Sequence, residues 1–483
     1  IASSLNTLEF SLREFNTGSF PKGLSFMLGS MSKWLYEESP TDALKFEEPL
    51  AELKAAIAKS GPKIFQDMIR SLLVENTHRT TVQLAPSKSL EEDQLEEERN
   101  RLEKIKSKMS EEDLDAVMST TKDLKRENTE YPIEVNKNEK DTGIMVVRHE
   151  LSSTSGIAYV NLAVDLSSLP LEDVPLLRLL ARIMMETGAG DYDSVALTQQ
   201  IGMHTGGINL QLLTTAAYPD GADEACAMSG EHLVTKLLIR GKSTCDKVNE
   251  LFSLFKLILP EARFDSQKKV VEILKESRSK LESSVQGSGH TISNARLKAR
   301  YRVGGYGDEV TSGLSYLDTV KSLLTQAEED WPSLLTRLEN MRSTILDESL
   351  CRSGMILDVT GEKKVLEDID SEVESFLNSL PGKAGGSTVP DFYKELHPWV
   401  PEAKKKMEEQ LPVKDEGFVV PTQVSYVGKG GLLYDEGERV PGSAQVVARF
   451  LRTGYLWDYV RVIGGAYGGF CTFSPFSGLF TFL

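Results

Sequence analysis

The sequence is poor in cysteine, with four in 483 residues and no C-x-x-C pair among them: Cys226, Cys245, Cys351 and Cys471. So few thiols cannot staple a chain of this length, which excludes the class of disulfide-rich secreted scaffolds. Their number is typical of ordinary thiols in a reducing compartment.

Basic residues are in deficit. Lys and Arg number 55 against 72 Asp and Glu, giving a formal charge of −17 at pH 7. Binding to a phosphate backbone needs a basic footprint, so we expect no nucleic-acid partner. An acidic surface attracts cationic ligands, although acidity is also common in proteins whose charge has no binding role.

Long apolar runs are missing as well. No stretch approaches the roughly 20 apolar residues that a membrane span requires, and the start has no signal-peptide pattern. We therefore expect a soluble chain without a membrane partner. The chain begins at Ile1 inside a predicted helix and stops at Leu483 inside a predicted strand. Both ends look cut, which predicts a piece of a larger protein.

The familiar catalytic motifs are also absent. The sequence has no G-x-S-x-G elbow and no Walker A loop, and its histidines never form H-x-x-E-H or H-E-x-x-H. His149 in "RHE" and His290 in "GSGH" are interpreted as structural. The six histidines are His78, His149, His204, His232, His290 and His397.

The chain has a globular composition, 40% apolar and 26% charged, and its length predicts about three or four domains. Residues 1–86 are mostly helical in pattern and close on a β-branched strand at 78–86. Residues 89–124 then carry two amphipathic helices with capping boxes, which predict a helical hairpin. Two interpretations of the hairpin stay open, a solvated coiled coil and a connector between two halves of a molecule.

A domain with a new pattern follows. In "GIAYVNLAVDL" the apolar residues Ala158, Val160, Leu162, Val164 and Leu166 alternate with the other face, as in a sheet packed on helices. Strands interleave with helical pairs rather than in a regular strand–helix–strand order. This arrangement favours an α+β fold over a doubly wound sheet.

The stretch "LWDYVRVIGGAYGGFCTF", Leu456 to Phe473, combines one Arg with a glycine-rich loop. Glycines permit positive φ and close approach to another chain, while Arg461 and Tyr467 offer donors suited to a peptide carbonyl or a developing oxyanion. The loop lacks nucleotide-binding spacing. From chemistry alone, a packing turn with a surface Arg and a functional site are equally compatible with the stretch.

Six segments, taken together, resemble the pitrilysin-like (inverzincin) zinc metallopeptidases, the group that includes falcilysin. The segments are "FSLREFNTGSFPKGLSFML", "IGMHTGGI", "GSGHTISNARL", "SGLSYLD", "PTQVSYVGK" and "VRVIGGAYGGF". They occur in the family's order over nearly the whole chain. The resemblance implies repeated α+β domains, helices on mainly antiparallel sheets, joined by a helical hairpin.

On this resemblance the chain divides into four parts. Residues 1–86 are the C-terminal part of a second α+β domain, 87–130 the hairpin linker, 131–385 a degenerate third domain, and 386–483 the first part of a fourth. The family's zinc site lies on a first domain that this sequence does not contain. Where the third domain would carry the zinc helix it has Leu179, Arg182 and Ile183. We therefore expect no metal on this chain, with zinc bound outside it in the full-length protein.

The resemblance also implies a function. Arg461 and Tyr467 fall where the family binds substrate backbone and stabilises the tetrahedral intermediate, with Gly464, Gly465 and Gly468 in the substrate loop. The implied activity is ATP-independent hydrolysis of unfolded peptides, such as presequences and transit peptides, in a closed chamber in a mitochondrial matrix or chloroplast stroma. The implied partners are those peptides and an N-terminal catalytic half, and the fragment alone is expected to be inactive. The family often has a basic residue at the position of Tyr459. An alternative is a noncatalytic subunit or scaffold of a split or processing peptidase.

Overall fold

The computed structural model describes residues 2–15, 17, 20–78, 134–139, 142–152, 154–347, 352–382, 389–411 and 415–483. The chain forms two compact units. The smaller comprises residues 20–133, and the larger comprises residues 1–19 and 134–483. The predicted hairpin, 87–130, and all but the first residue of the strand predicted at 78–86 lie outside the described residues.

The smaller unit is helical where it is described. Its α-helices alternate with a short 3₁₀ turn at Asp42–Leu44 and end in a π-helical turn at Arg70–Val74. The helical prediction for this part is confirmed. The α-helices are α2 (Lys22–Trp34), α3 (Glu47–Ser60) and α4 (Lys63–Ile69), and α1 (Ala2–Glu14) belongs to the larger unit.

The larger unit is built on a six-stranded sheet in the order β1-β2-β8-β3-β7-β6. All neighbouring pairs are antiparallel except β2 and β8, which run parallel. The strands are β1 (Glu134–Glu139), β2 (Met145–Glu150), β3 (Ile157–Asp165), β6 (Ile208–Ala216), β7 (Leu233–Thr244) and β8 (Ile356–Gly361); β4 (Gly188–Ala189) and β5 (Tyr192–Asp193) form a separate two-stranded ribbon.

Helices of the larger unit pack on one face of this sheet. They are α5 (Leu177–Glu186), α6 (Ser194–His204), α7 (Val248–Glu261), α8 (Gln267–Gly287), α9 (Gly289–Ala299), α10 (Val303–Ser312), α11 (Leu314–Glu329), α12 (Trp331–Ile345), α13 (Lys363–Asp368), α14 (Asp370–Ser379) and α15 (Val400–Gln410). A 3₁₀ turn, Leu171–Leu176, leads into α5. The α+β class is therefore confirmed.

The core lies between this sheet face and the helices. Val160, Leu162 and Val164 of β3 are fully buried, as their period-two spacing predicts, and they join Phe255 of α7 in one continuous cluster. The opposite face carries a polar row in which Asn161 donates to Asp358 at 2.6 Å and accepts from Arg240 at 3.1 Å. The sheet is thus apolar on one face and mixed on the other.

Helix α1 packs on the larger unit. The Asn6 amide donates to the carbonyls of Gly202 (3.0 Å) and Thr205 (2.7 Å), which lie at the end of α6. At the other end of α1, Glu14 accepts from the Tyr159 hydroxyl at 3.1 Å. Burial, together with the Glu14 charge, raises the pKa of Tyr159 to about 12. The domain boundary predicted after residue 86 remains a prediction.

Residues 415–483 form a small three-stranded sheet and one long helical arm. The strands β9 (Lys429–Leu432), β10 (Cys471–Phe473) and β11 (Leu479–Phe482) pair antiparallel in the order β10-β11-β9. The arm is α16 (Gly442–Phe450), which continues as a π-helical segment, Leu451–Ile463. The closing hairpin predicted around "SPFSG" is confirmed.

Helix α9 and the residues after it dock this small sheet onto the rest of the larger unit. Asn294 accepts from Thr481 Oγ1 at 3.0 Å, and the Tyr301 hydroxyl donates to the Gly430 carbonyl at 3.1 Å. Arg302 donates to the Ser477 carbonyl through Nε (3.1 Å) and Nη2 (2.8 Å). Within the described part of the chain, no helix is long and apolar enough to cross a membrane.

Candidate functional site

The π-helical segment Leu451–Ile463 positions Arg461. The helical arm buries a narrow stripe, Ala448 and Leu456, against Cys471 of the hairpin, and leaves its other faces exposed. Arg461 lies near the end of the exposed side. Its guanidinium carbon is 4.2 Å from the centroid of the Trp457 ring, one turn earlier. A cation held over an indole face is restrained in direction while its N–H groups stay available.

The glycine loop begins where the π-helix ends. The amide of Gly464 donates to Tyr459 O at 3.0 Å, and that of Gly465 donates to Arg461 O at 3.1 Å. Gly465 has a φ of +70°, a conformation that side-chain-bearing residues rarely adopt. A Cβ on Gly464 would lie 2.6 Å from Val460 O, and one on Gly468 would lie 3.0 Å from the Phe470 ring. The local geometry thus requires glycine at these positions.

Tyr467 projects from this loop with 89% of its surface exposed. Neither the Arg461 guanidinium nor the Tyr467 hydroxyl has a hydrogen-bond or ion-pair partner among the residues that the structure describes. Two donors, one cationic and one neutral, are therefore available on either side of the Gly465 turn. Such a pair is chemically suited to binding carbonyl oxygens or a developing oxyanion.

Tyr459, which stands where a basic residue is frequent in similar sequences, stacks on Tyr455. The ring centroids are 4.8 Å apart, with an interplanar angle of 29°. Both rings remain more than half exposed. The aromatic pair stiffens the exposed side of the arm next to Arg461.

The helix that was compared with a zinc-binding helix is part of the core. Leu179 and Ile183 of α5 are 3% and 0% exposed, and Arg182 pairs with Glu186 (2.8 Å) and Glu276 (2.9 Å). Aliphatic side chains and a paired guanidinium offer no metal ligand. Over the described residues, no group of three or more His, Cys, Asp or Glu is placed to hold a metal ion. The residues present here do not fit zinc.

Two of the histidines have structural contacts. His149 Nε2 lies 3.1 Å from Asp358 Oδ1 on the mixed face of the sheet. His397 is fully buried, and its Nδ1 accepts from the Trp399 amide at 3.2 Å. Its proton therefore sits on Nε2, which donates to Thr235 Oγ1 at 2.9 Å. Burial lowers the pKa of His397 to about 4.

Three further residues belong to the candidate site: Trp457, Phe470 and His290. Trp457 lies under Arg461, and the four-residue spacing of the two is a signal that the sequence does carry. Phe470 ends the loop, and the His290 ring stacks on it at 5.3 Å. That contact joins residues far apart in the chain, and no local pattern indicates it.

The comparisons with known families match two parts of the chain. Residues 120–323 match the family model of the associated region of peptidase family M16, subfamily C. Residues 415–483, which contain the loop and both donors, match "PreP C-terminal domain".

Curated relatives match nearly the whole chain. "Presequence protease 1, chloroplastic/mitochondrial" of Arabidopsis thaliana is 37% identical over all of this chain and 44% of that protein. "Presequence protease, mitochondrial" of Saccharomyces cerevisiae is 25% identical over 95% of this chain and 46% of that protein. The chain thus spans about half the length of these relatives. A solved inactive domain of a peptidase M16 from Pseudomonas fluorescens is similar over 72% of this chain and 73% of that chain, with 13% identity and a TM-score of 0.40.

The class defined by these matches is subfamily C of the M16 peptidases. Within it, the chain belongs to the presequence protease family. The family prediction made from the six sequence segments is confirmed.

Proposed function

We propose that the complete protein is an ATP-independent zinc metalloendopeptidase that degrades unfolded peptides inside a closed chamber, and that this chain supplies substrate-binding and oxyanion-stabilising residues. The observation that carries the proposal is the pair of exposed donors, Arg461 and Tyr467, on either side of the Gly465 turn. Both lie in the segment that matches the PreP C-terminal domain.

Each donor has its own role in this proposal. Arg461, restrained by Trp457, binds a carbonyl of the peptide backbone and retains its charge throughout the reaction. Tyr467 donates its hydroxyl proton in a hydrogen bond to the oxygen that becomes negative in the tetrahedral intermediate. A donor aimed at the developing charge stabilises the transition state more than the ground state, and therefore raises kcat. The glycines Gly464, Gly465 and Gly468 let the loop lie close to a bound peptide.

The metal and its chemistry belong elsewhere in this proposal. Zinc is bound outside this sequence by an N-terminal catalytic half, which is the partner of this chain. The buried Leu179 and Ile183 make the larger unit a structural counterpart of a metal-binding domain. We expect the fragment alone to be inactive.

The substrates are proposed to be cleaved presequences and transit peptides of the mitochondrial matrix or the chloroplast stroma. Two observations support this. Relatives carry the names chloroplastic and mitochondrial presequence protease, and this chain has a formal charge of −17. Cationic peptides are attracted to an acidic protein over a distance of about a Debye length.

A second candidate is a noncatalytic subunit or scaffold of a split or processing peptidase. The lack of a metal-ligand cluster in the described part of the chain is compatible with it. Zinc content separates the two candidates. A zinc-bearing polypeptide that contains this sequence supports the enzyme, and a zinc-free polypeptide that needs a second chain for activity supports the subunit.

The test of the donors is substitution in the complete protein. Tyr467→Phe removes only the hydroxyl, and Arg461→Ala removes the guanidinium. Each should cost about 2–4 kcal/mol of transition-state stabilisation, as loss of an oxyanion donor does. Tyr455→Phe is the matched control, because it removes an exposed hydroxyl from the same arm. Unchanged hydrolysis of a quenched fluorogenic peptide by Tyr467→Ala would show that the assignment is wrong.

A further inference from the structure

Tyr467 needs its position to be fixed by something other than its own side chain. With 89% of its surface exposed, the ring has little contact with the rest of the chain. The placement of its hydroxyl therefore depends on the backbone of the loop Gly464–Phe470. The first end of this loop is fixed by amide hydrogen bonds to the π-helix, including Ala466 N to Val460 O at 3.2 Å.

The second end of the loop is Phe470. Its backbone N–H donates to Leu483 O and its carbonyl accepts from Leu483 N, both at 2.9 Å, so it extends the β10–β11 hairpin. Its ring covers Gly468, where an added Cβ would lie 3.0 Å from the ring. Gly468 directly follows Tyr467 in the chain. Movement of the Phe470 ring therefore displaces the backbone next to Tyr467.

His290 holds the Phe470 ring from a distant part of the sequence. The two rings are stacked, with centroids 5.3 Å apart and an interplanar angle of 24°. The Arg452 guanidinium carbon is 5.8 Å from the same ring centroid. His290 is half-buried in the first turn of α9, directly after the break at Ser288 between α8 and α9.

The backbone beside His290 is itself tightly constrained. A Cβ on Gly289 would lie 2.2 Å from the Tyr426 ring, and the Tyr426 hydroxyl donates to Gln286 O at 3.0 Å. The imidazole is therefore presented from a rigid corner where α9 meets the last segment. A rigid support of this kind is what a precisely placed donor requires.

We propose that His290 is a positioning residue for the Arg461 and Tyr467 site: by stacking on Phe470 it sets the placement of the loop Gly464–Phe470 and hence of the Tyr467 hydroxyl. This inference rests on the proposed function. His290 acts through Phe470 and Gly468, and what it contributes is a flat ring surface, not a proton.

The experiment uses the complete protein with a quenched fluorogenic peptide as the probe. His290→Ala removes the stack and should lower kcat roughly 10- to 100-fold with little change in KM, because misplacing a transition-state donor affects the chemical step. His290→Phe keeps a ring without a titratable nitrogen and should restore kcat to within about 3-fold of the original, since ring stacking is retained. His204→Ala, at the end of α6, is the matched control and should behave as the unmodified protein.

A second measurement follows the loop independently of turnover. Amide hydrogen exchange of residues 464–470 should be faster in His290→Ala and unchanged in His290→Phe and His204→Ala. Gly468→Ala places a methyl group against the Phe470 ring and should reproduce the His290→Ala kinetics. Thermal unfolding of all variants identifies any loss of fold.

The outcomes separate the two proposals. If Tyr467→Ala is inactive and His290→Ala retains full kcat, the positioning role is wrong and the proposed function stands. If Tyr467→Ala is fully active, the proposed function fails, and unchanged loop exchange in His290→Ala overturns the positioning role as well. If His290→Phe is as impaired as His290→Ala, stacking is not what His290 contributes, and the inference is overturned.

Discussion

Arg296 Nη1 lies 3.1 Å from Oε1 of Glu309, whose side chain is fully buried. The same carboxylate oxygen accepts from the amide (3.0 Å) and hydroxyl (3.1 Å) of Ser315. Arg296 also holds Glu416, at the start of the last segment, through Nε (3.0 Å) and Nη2 (2.9 Å). One guanidinium thus neutralises a buried charge and anchors the segment that carries the candidate site.

We predict that Arg296→Ala destabilises the chain by about 3–5 kcal/mol, because it leaves the Glu309 carboxylate buried without its counter-ion. Arg278→Ala is the matched control, since Arg278 pairs with Glu282 on the exposed face of α8. Its loss should cost about 0.5 kcal/mol. Urea unfolding followed by circular dichroism measures both. Equal effects of the two substitutions would contradict the role given to Glu309.

A second prediction concerns Arg352, which is 8% exposed and donates only to backbone carbonyls. Its shortest bonds go to Leu380 O (2.6 Å) and Gly382 O (2.7 Å), just beyond the end of α14. Lys cannot reproduce the planar fork, so Arg352→Lys should cost about 2–4 kcal/mol of the free energy of unfolding. Arg278→Lys, at an exposed site, should change it little. A near-neutral Arg352→Lys would show that charge alone suffices at this helix end.

A third prediction is a pH dependence due to His397. Burial holds its folded-state pKa at about 4, whereas an unfolded histidine titrates near 6.5. Between these values the unfolded chain binds more protons, so this contribution to stability is complete above about pH 6.5 and is lost as the pH falls toward 4. The loss amounts to about 3 kcal/mol. Urea unfolding from pH 7 to 4.5 should show the slope, and His397→Gln should flatten it. An equal slope in His397→Gln would assign the dependence to other groups.

A fourth prediction concerns the ring beneath Arg461. Removing the indole in Trp457→Ala should lower kcat/KM for peptide hydrolysis by the complete protein about 2- to 5-fold, the equivalent of about 0.5–1 kcal/mol of cation–π attraction. Trp457→Phe should recover part of the loss because a weaker aromatic face remains. If Trp457→Ala and Trp457→Phe were both indistinguishable from the unmodified protein, the ring would have no role in holding Arg461.

Local patterns predicted the elements well. The alternation in β3 placed Val160, Leu162 and Val164 in the core, and the helices at 248–259 and 266–284 were recognised from their apolar stripes. These predictions succeed because side-chain periodicity follows directly from strand and helix geometry. The α+β prediction followed from the order of the elements.

Long-range contacts could not be predicted in the same way. Arg461 and Tyr467 were recognised by resemblance, but the stacking of His290 on Phe470 depends on how α9 meets the last segment. The packing of α1 on the larger unit, through Asn6 and Glu14, likewise has no signal in the local sequence. Such contacts depend on tertiary packing, which overrides local preference.

The bond from Arg302 to the carbonyl of Ser477 has a consequence for how this protein can vary. Every residue at position 477 offers a carbonyl, so the docked side of this contact places almost no demand on residue identity, whereas the donor side admits only Arg. Substitutions should therefore accumulate at Ser477 without loosening the last segment. An exchange of that segment between related chains should preserve the contact as long as Arg302 is kept.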